Sequence, residues 1–190
     1  MNINQITDAT YIGEVVDHDK AYSRHKPVFY SHKLRVNYSD ELESGFVDEH
    51  LSIVYFFCVN GEIYKIGQTS GKNGIKGCMS FYCSAGQDDP GQNRFTINAL
   101  MREHIAQGDK VSVYIKFIEP MQMLVSGVDK MHKVQANVSA KVLEEVHLQD
   151  YRRITGQLPR WNFQEAGVSV PTYIEEQFAS YKQMRAAARA

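Results

Sequence analysis

The sequence lacks the features that would place it in several large classes. It has three cysteines, Cys58, Cys78 and Cys83, and no CxxC pair. That count excludes a disulfide framework and a thiolate zinc site, and it fits a reducing, cytoplasmic compartment. The longest apolar run is seven residues, Ile53 to Val59, far short of the roughly 20 that a membrane-spanning helix needs. The first ten residues, MNINQITDAT, are polar and carry no apolar signal core. No charge of one sign dominates: 21 Lys and Arg against 22 Asp and Glu leave a net charge of −1. Overall balance therefore does not announce a nucleic-acid binder, although it can hide local patches.

What is present is an ordinary globular composition. The 190 residues are 43% hydrophobic and 23% charged, enough to bury the core of one domain with an appendage. Charge is unevenly spread. Lys20, Arg24, Lys26, Lys33 and Arg35 fall in a stretch without acids, interleaved with Tyr22, Phe29, Tyr30 and Tyr38. The segment DELESGFVDE, residues 40–49, then packs in five acids. A basic, aromatic segment of this kind is either a solvated surface around edge strands or an arm that touches phosphates.

Hydrophobic periodicity gives the elements. Ser52 to Val59 reads as a central strand, and Glu62 to Ile66 as its returning partner. Asn60-Gly61 between them is the strongest short hairpin signal, because both central residues of a type I′ turn need positive φ. The second run stops at Gly67, which is expected to turn the chain, and residues 67–77 are expected to form a glycine-rich loop around at most a short helical turn. Helical spacing at Ile97, Leu100, Met101 and Ile105 predicts a helix over 92–107, stopped by Gly108. Lys110 to Ile118 alternates as a third strand. Asn137 to Thr155 is expected to be a helix capped by Asn137 or Ser139 and closed by Gly156, with Val138, Val142, Leu143, Val146 and Ile154 buried. Glu144, Leu148 and Tyr151 form an adjacent stripe at i, i+4, i+7. Pro171 to Arg189 reads as a last helix, with Lys182, Arg185 and Arg189 toward its end, where cations suit the helix dipole. The fold class is α+β, a small antiparallel sheet of hairpin plus third strand flanked by helices.

These residues carry a resemblance. The triplets Ile53-Val54-Tyr55 and Lys65-Ile66-Gly67, the helical Leu143-Glu144 seven residues before Tyr151, and Pro159-Arg160-Trp161-Asn162 follow one another in an order that resembles the GIY-YIG nuclease family. The resemblance covers roughly residues 51–163. It implies a nuclease core over 51–163, an N-terminal arm over 1–50 that contacts DNA or a second subunit, and a C-terminal helical extension over 164–190. It also implies DNA as partner, no membrane association, and Mg2+ or Mn2+ as cofactor. Restriction and phage or mobile-element nucleases are both compatible; a restriction enzyme would work as a homodimer. The catalytic set it implies is Tyr55, Lys65, Lys76 and Glu144, with Glu144 as metal ligand. Gly67, Tyr82, Arg94 and Asn162 would contact substrate. The family's arginine is missing: its position falls near Lys76, or Arg94 supplies the guanidinium from elsewhere. Lysine keeps the charge but loses the bidentate fork, so the alternative is a catalytically silent nucleic-acid-binding protein that retains the fold.

The residue chemistry suits phosphodiester hydrolysis. A carboxylate can hold one hard cation that keeps most of its waters. A cation can neutralise non-bridging oxygens. A phenol beside an ammonium is expected to titrate below its usual 10 and so to activate water. Each residue also has a plainer reading. Tyr55 and Tyr82 can be core aromatics, Lys65 a snorkelling edge-strand lysine, Gly67 a turn, and Asn162 a cap. Glu144 can be a solvated helix residue, with Glu145 competing for its role.

Overall fold

The computed structural model describes residues 1–21, 29–48, 52–70, 73–86, 89–117, 121–136 and 138–188. Tyr22, Arg24, Lys26, Glu49, Ile118, Asn137 and Arg189, named above, lie outside them. The elements in chain order are β1 (Thr10–Ala21), β2 (His32–Tyr38), β3 (Ile53–Val59), β4 (Glu62–Thr69), α1 (Gly74–Cys83), α2 (Gln92–Ala106), β5 (Val111–Phe117), β6 (Met121–Ser126), β7 (Met131–Ala136), α3 (Ala140–Thr155), α4 (Phe163–Ala166) and α5 (Thr172–Ala187). Among them no helix is long and apolar enough to cross a membrane.

Five strands form one antiparallel sheet in the order β2-β1-β5-β3-β4. The α+β class expected from the sequence is what the chain adopts, with helices on both faces. On one face Tyr55, Phe57 and Val59 pack with Met79 and Tyr82 of α1, Phe95 of α2 and Tyr181 of α5. On the other, Val54, Phe56 and Ile66 pack with Leu148 and Tyr151 of α3. Every residue of β3 is buried, which explains its unbroken apolar run: a strand covered on both sides has no solvent face to mark with polar residues. The hairpin turn is as read, with Asn60 at φ 48° and Gly61 at φ 83°. The Asn60 side chain also ties the turn to the start of β5, donating to Asp109 at 2.7 Å and accepting from the Lys110 amide at 2.9 Å.

Four expectations need correction. Among the described residues of 1–50, β1 is not an arm beside the sheet: it sits between β2 and β5 and is part of it. The chain does not turn at Gly67, because β4 continues to Thr69, and the glycine answers to a different constraint, described below. The segment 67–77 is not mainly loop; it ends in α1. Finally, α3 buries the other stripe. Glu144, Leu148 and Tyr151 are buried, whereas Val142, Val146 and Ile154 are 51%, 43% and 53% exposed. Two polar anchors fix that rotation: the Tyr151 hydroxyl donates to the Ile63 carbonyl at 3.3 Å, and Glu144 points inward at the other end. Ser139 caps α3 by accepting from the Lys141 amide, and Gly156 closes it at φ 81°. Among the described residues the hairpin β6–β7 pairs only with itself, and period-2 counting over its mixed residues does not reveal it.

Candidate active site

The site is built on β4 by a register shift. Tyr55 pairs with Gly67, Phe56 with Ile66 and Phe57 with Lys65, but Cys58 then pairs with Ile63. Tyr64 is thus the extra residue of a β-bulge. Bulges rephase the alternation of a strand. Here the bulge lets Tyr64 face the Tyr55 side of the sheet while Lys65, directly opposite Phe57, faces it too. Strict alternation would have placed the two on opposite faces.

Gly67 makes room for Tyr55. A Cβ built on Gly67 would overlap the Tyr55 ring and hydroxyl. The Tyr55 hydroxyl shares a hydrogen bond of 2.7 Å with that of Tyr82 on α1, and the rings of Tyr55, Phe57 and Tyr82 stand edge to face at 5.4–6.0 Å. Burial, followed by the nearby Tyr82 and Cys78, pushes the Tyr55 phenol well above its usual value. Burial likewise raises Tyr82 and pushes the Cys78 thiol up to about 12. The lowered phenol expected from a neighbouring ammonium is therefore not found: desolvation dominates and every other influence on Tyr55 also raises it.

Lys65 is only 3% exposed. Burial pulls its ammonium below the usual lysine range, opposed by Glu165, Glu144 and Cys78 and reinforced by Lys141. Glu144 is 6% exposed, and its carboxylate accepts from Lys141 Nζ at 2.9 Å. Its charge is also felt at Tyr55, Tyr82 and Lys65, so α3 brings this carboxylate within electrostatic reach of all three.

Asn162 closes the outer edge of β4. Its Oδ1 accepts from the Ile66 amide at 2.9 Å, and its Nδ2 donates to the Ile66 carbonyl at 2.8 Å. The Trp161 amide donates to the Tyr64 carbonyl at 2.7 Å, and Trp161 packs on the Tyr64 ring. The Pro-Arg-Trp-Asn segment thus supplies an edge strand with the partners it lacks.

The structure gathers Tyr55, Lys65, Gly67, Tyr82, Glu144 and Asn162 at one end of the hairpin. It does not bring Lys76 or Arg94 there. Lys76 follows buried Ile75 on α1, points outward with its side chain 60% exposed, and pairs with Asp48 at 3.3 Å. Arg94 donates to the Phe81 carbonyl and, at 2.7 Å, to Ser84 Oγ, with its guanidinium over the Phe81 ring; it serves the C-terminal end of α1, where a cation is favoured. Asn162 is inside with its amide committed to Ile66, and the Tyr82 hydroxyl shares its hydrogen bond with Tyr55. Sequence reasoning missed Cys78 and Glu165. The only signal for Glu165 was its place three residues after Asn162, whose Nδ2 donates to it at 3.3 Å.

No family model and no curated protein sequence matches the chain. Among solved structures, a mutant of bacteriophage T4 EndoII is similar at a TM-score of 0.46 and 15% identity, over 85% of this chain and 99% of that one. A restriction endonuclease, HPY188I, in complex with product DNA, is similar at a TM-score of 0.40 and 18% identity, over 84% of each chain.

Proposed function

We propose that this protein is a metal-dependent DNA endonuclease of GIY-YIG type that hydrolyses phosphodiester bonds. One observation supports the reading: Tyr55 on β3 and Lys65 on β4 are buried on one face of the hairpin, and the buried carboxylate of Glu144 on α3 acts electrostatically on both. Burying such groups costs stability, and perturbed groups of this kind cluster where chemistry is done.

Glu144 fits a hard divalent cation, because one carboxylate suffices for an ion that keeps most of its waters. No group of three His, Cys, Asp or Glu side chains that could hold a more fully liganded metal occurs among the described residues. When bound there, Mg2+ or Mn2+ would stabilise charge on the leaving oxygen. The chain's own groups handle the proton. Burial shifts Lys65 toward its neutral amine and holds Tyr55 as a neutral phenol. Tyr55, with Lys65 on the same face of the hairpin, is the group that orients and deprotonates the attacking water. Tyr82 orients the Tyr55 hydroxyl, and Gly67 leaves the ring its place.

Phosphates on either side of the cut need positive surface. A cavity of about 280 Å³ between β2 and α1 is lined by His18, Lys33, Arg35, Lys76 and Ser80, among others, and it suits the DNA backbone. Lys76 is assigned there, to binding rather than to the reacting phosphate. Cutting both strands with one metal per site would call for two copies of the chain.

The rival is a DNA-binding protein that does not cut. Its support is specific: neither Lys76 nor Arg94 reaches the cluster. Supercoiled plasmid incubated with the protein and Mg2+, with EDTA and Glu144→Gln controls, decides. Metal-dependent nicking lost in the variant supports the nuclease; binding by both proteins with cutting by neither supports the rival.

A further inference from the structure

We propose that Lys141 is a catalytic residue of this site: its ammonium, bonded to the Glu144 carboxylate, is the cation that neutralises the phosphate being cut; this rests on the nuclease reading.

Phosphodiester cleavage needs positive charge on the non-bridging oxygens, and the cations expected to provide it are engaged elsewhere. Lys76 pairs with Asp48, and Arg94 is held by Phe81 and Ser84. Arg160 donates to the Tyr64 hydroxyl at 2.7 Å. Lys65 is 3% exposed, too deep to meet a phosphate directly. Lys141 differs on both counts. Its Nζ lies 2.9 Å from Glu144 Oε2, and its side chain is 63% exposed. The carboxylate it touches is the one assigned to the metal, so the ammonium already stands beside the reacting group. A cavity of about 300 Å³ opens there, lined by Lys141 and also by Glu145, Gln149, Arg152 and Glu165. It gives the head group room to move from Glu144 to a phosphate.

Helix stability does not account for this lysine. Lys141 is the second residue of α3, where the positive end of the macrodipole disfavours a cation. Its order with Glu144 is the reverse of the Glu-before-Lys order that supports helices best. Nor is this an ordinary surface ion pair, because the Glu144 side chain is only 8% exposed and a buried carboxylate calls for a counter-charge. With a divalent ion at Glu144 that task falls away, and the ammonium is repelled across a short gap. The flexible four-carbon stem then lets Lys141 swing outward with its charge intact.

Lys141→Gln keeps an N–H donor for the carboxylate and removes the charge. Two readouts are expected to move in opposite directions. Without DNA, Mn2+ followed by electron paramagnetic resonance should bind the variant about tenfold more tightly, because a like charge has gone from beside Glu144. At saturating Mn2+, plasmid cleavage should fall about 10²-fold in kcat. Lys141→Arg, which keeps the charge, should recover most of the rate, and Lys141→Met replaces the Gln variant if that one melts early. Arg153→Gln makes the same charge change near the far end of α3, on an exposed side chain, and should alter neither readout. A variant that binds Mn2+ more tightly and cuts as fast as the parent would make Lys141 only a counter-ion of Glu144 and overturn the inference. So would a parallel fall in both readouts, the mark of a lysine that merely shapes Glu144. No cleavage by the parent protein overturns the nuclease reading and the Lys141 role with it, whereas an active parent with an unaffected variant overturns the Lys141 role alone.

Discussion

The ring of Tyr55 occupies the space that a side chain on Gly67 would fill. The two residues are register partners on β3 and β4, and an added Cβ at position 67 would overlap the phenol at Cζ and Oη. Since Gly67 has no left-handed φ, the constraint is the neighbour and not the backbone. Gly67→Ala is expected to cost about 1–3 kcal/mol by overpacking and to abolish cleavage by displacing the Tyr55 hydroxyl from Tyr82. Urea unfolding and a plasmid nicking assay on the same preparation measure the two effects.

Tyr55→Phe removes the hydroxyl and keeps the ring. Cleavage is expected to drop about 10²-fold or more, the range of a lost proton-transfer group. The Tyr82 hydroxyl loses its 2.7 Å partner, so stability should also fall by about 1–3 kcal/mol, the cost of an unpaired buried polar group. Tyr82→Phe should give a similar stability loss with a smaller loss of rate, because Tyr82 only orients. Equal rate losses for the two variants would reverse the assignment.

Much of this site was legible in the sequence, and the remainder was hidden for physical reasons. The Asn60-Gly61 turn needs two positive φ values, and few dipeptides tolerate them, so it could be read directly. Leu143-Glu144 and Pro159-Arg160-Trp161-Asn162 could be placed in order, but not in space. The bulge at Tyr64 leaves no compositional mark, although it puts Lys65 on the Tyr55 face. The rotation of α3 could not be had from periodicity, because Val142, Val146 and Ile154 make the more apolar stripe and yet face outward. The lysine expected to replace the family's arginine had the right sequence position. The adjacent residue, Ile75, took the core-facing direction of α1, leaving Lys76 to solvent.

Lys76→Ala tests that relocation. With the side chain outside the cluster and at the β2–α1 cavity, the expected result is a raised KM and weaker DNA binding with kcat unchanged. The binding deficit should shrink as salt rises, since one phosphate contact is lost. A collapse of kcat at saturating DNA would return Lys76 to the reacting phosphate.

Lys65 and Tyr55 make opposite contributions to stability at alkaline pH, and the signs can be worked out separately. Burial lowers the lysine in the folded state, so between that lowered value and the ordinary 10.5 the unfolded chain holds a proton that the folded chain does not. Stability therefore rises with pH across that window. Burial raises Tyr55, so above the ordinary 10 the folded chain keeps a proton that the unfolded chain loses, and stability falls. Lys65→Met removes only the first contribution. The variant is expected to be more stable than the parent at neutral pH, to lack the lysine's opposition to the alkaline decline that the raised Cys58, Cys78 and Cys83 thiols begin above pH 9 and Tyr55 continues above pH 10, and to be inactive. Chemical unfolding at intervals from pH 7 to 11 reads all of this except the activity. A variant less stable than its parent at neutral pH would mean that Glu165 and Glu144 compensate the Lys65 ammonium more than fully.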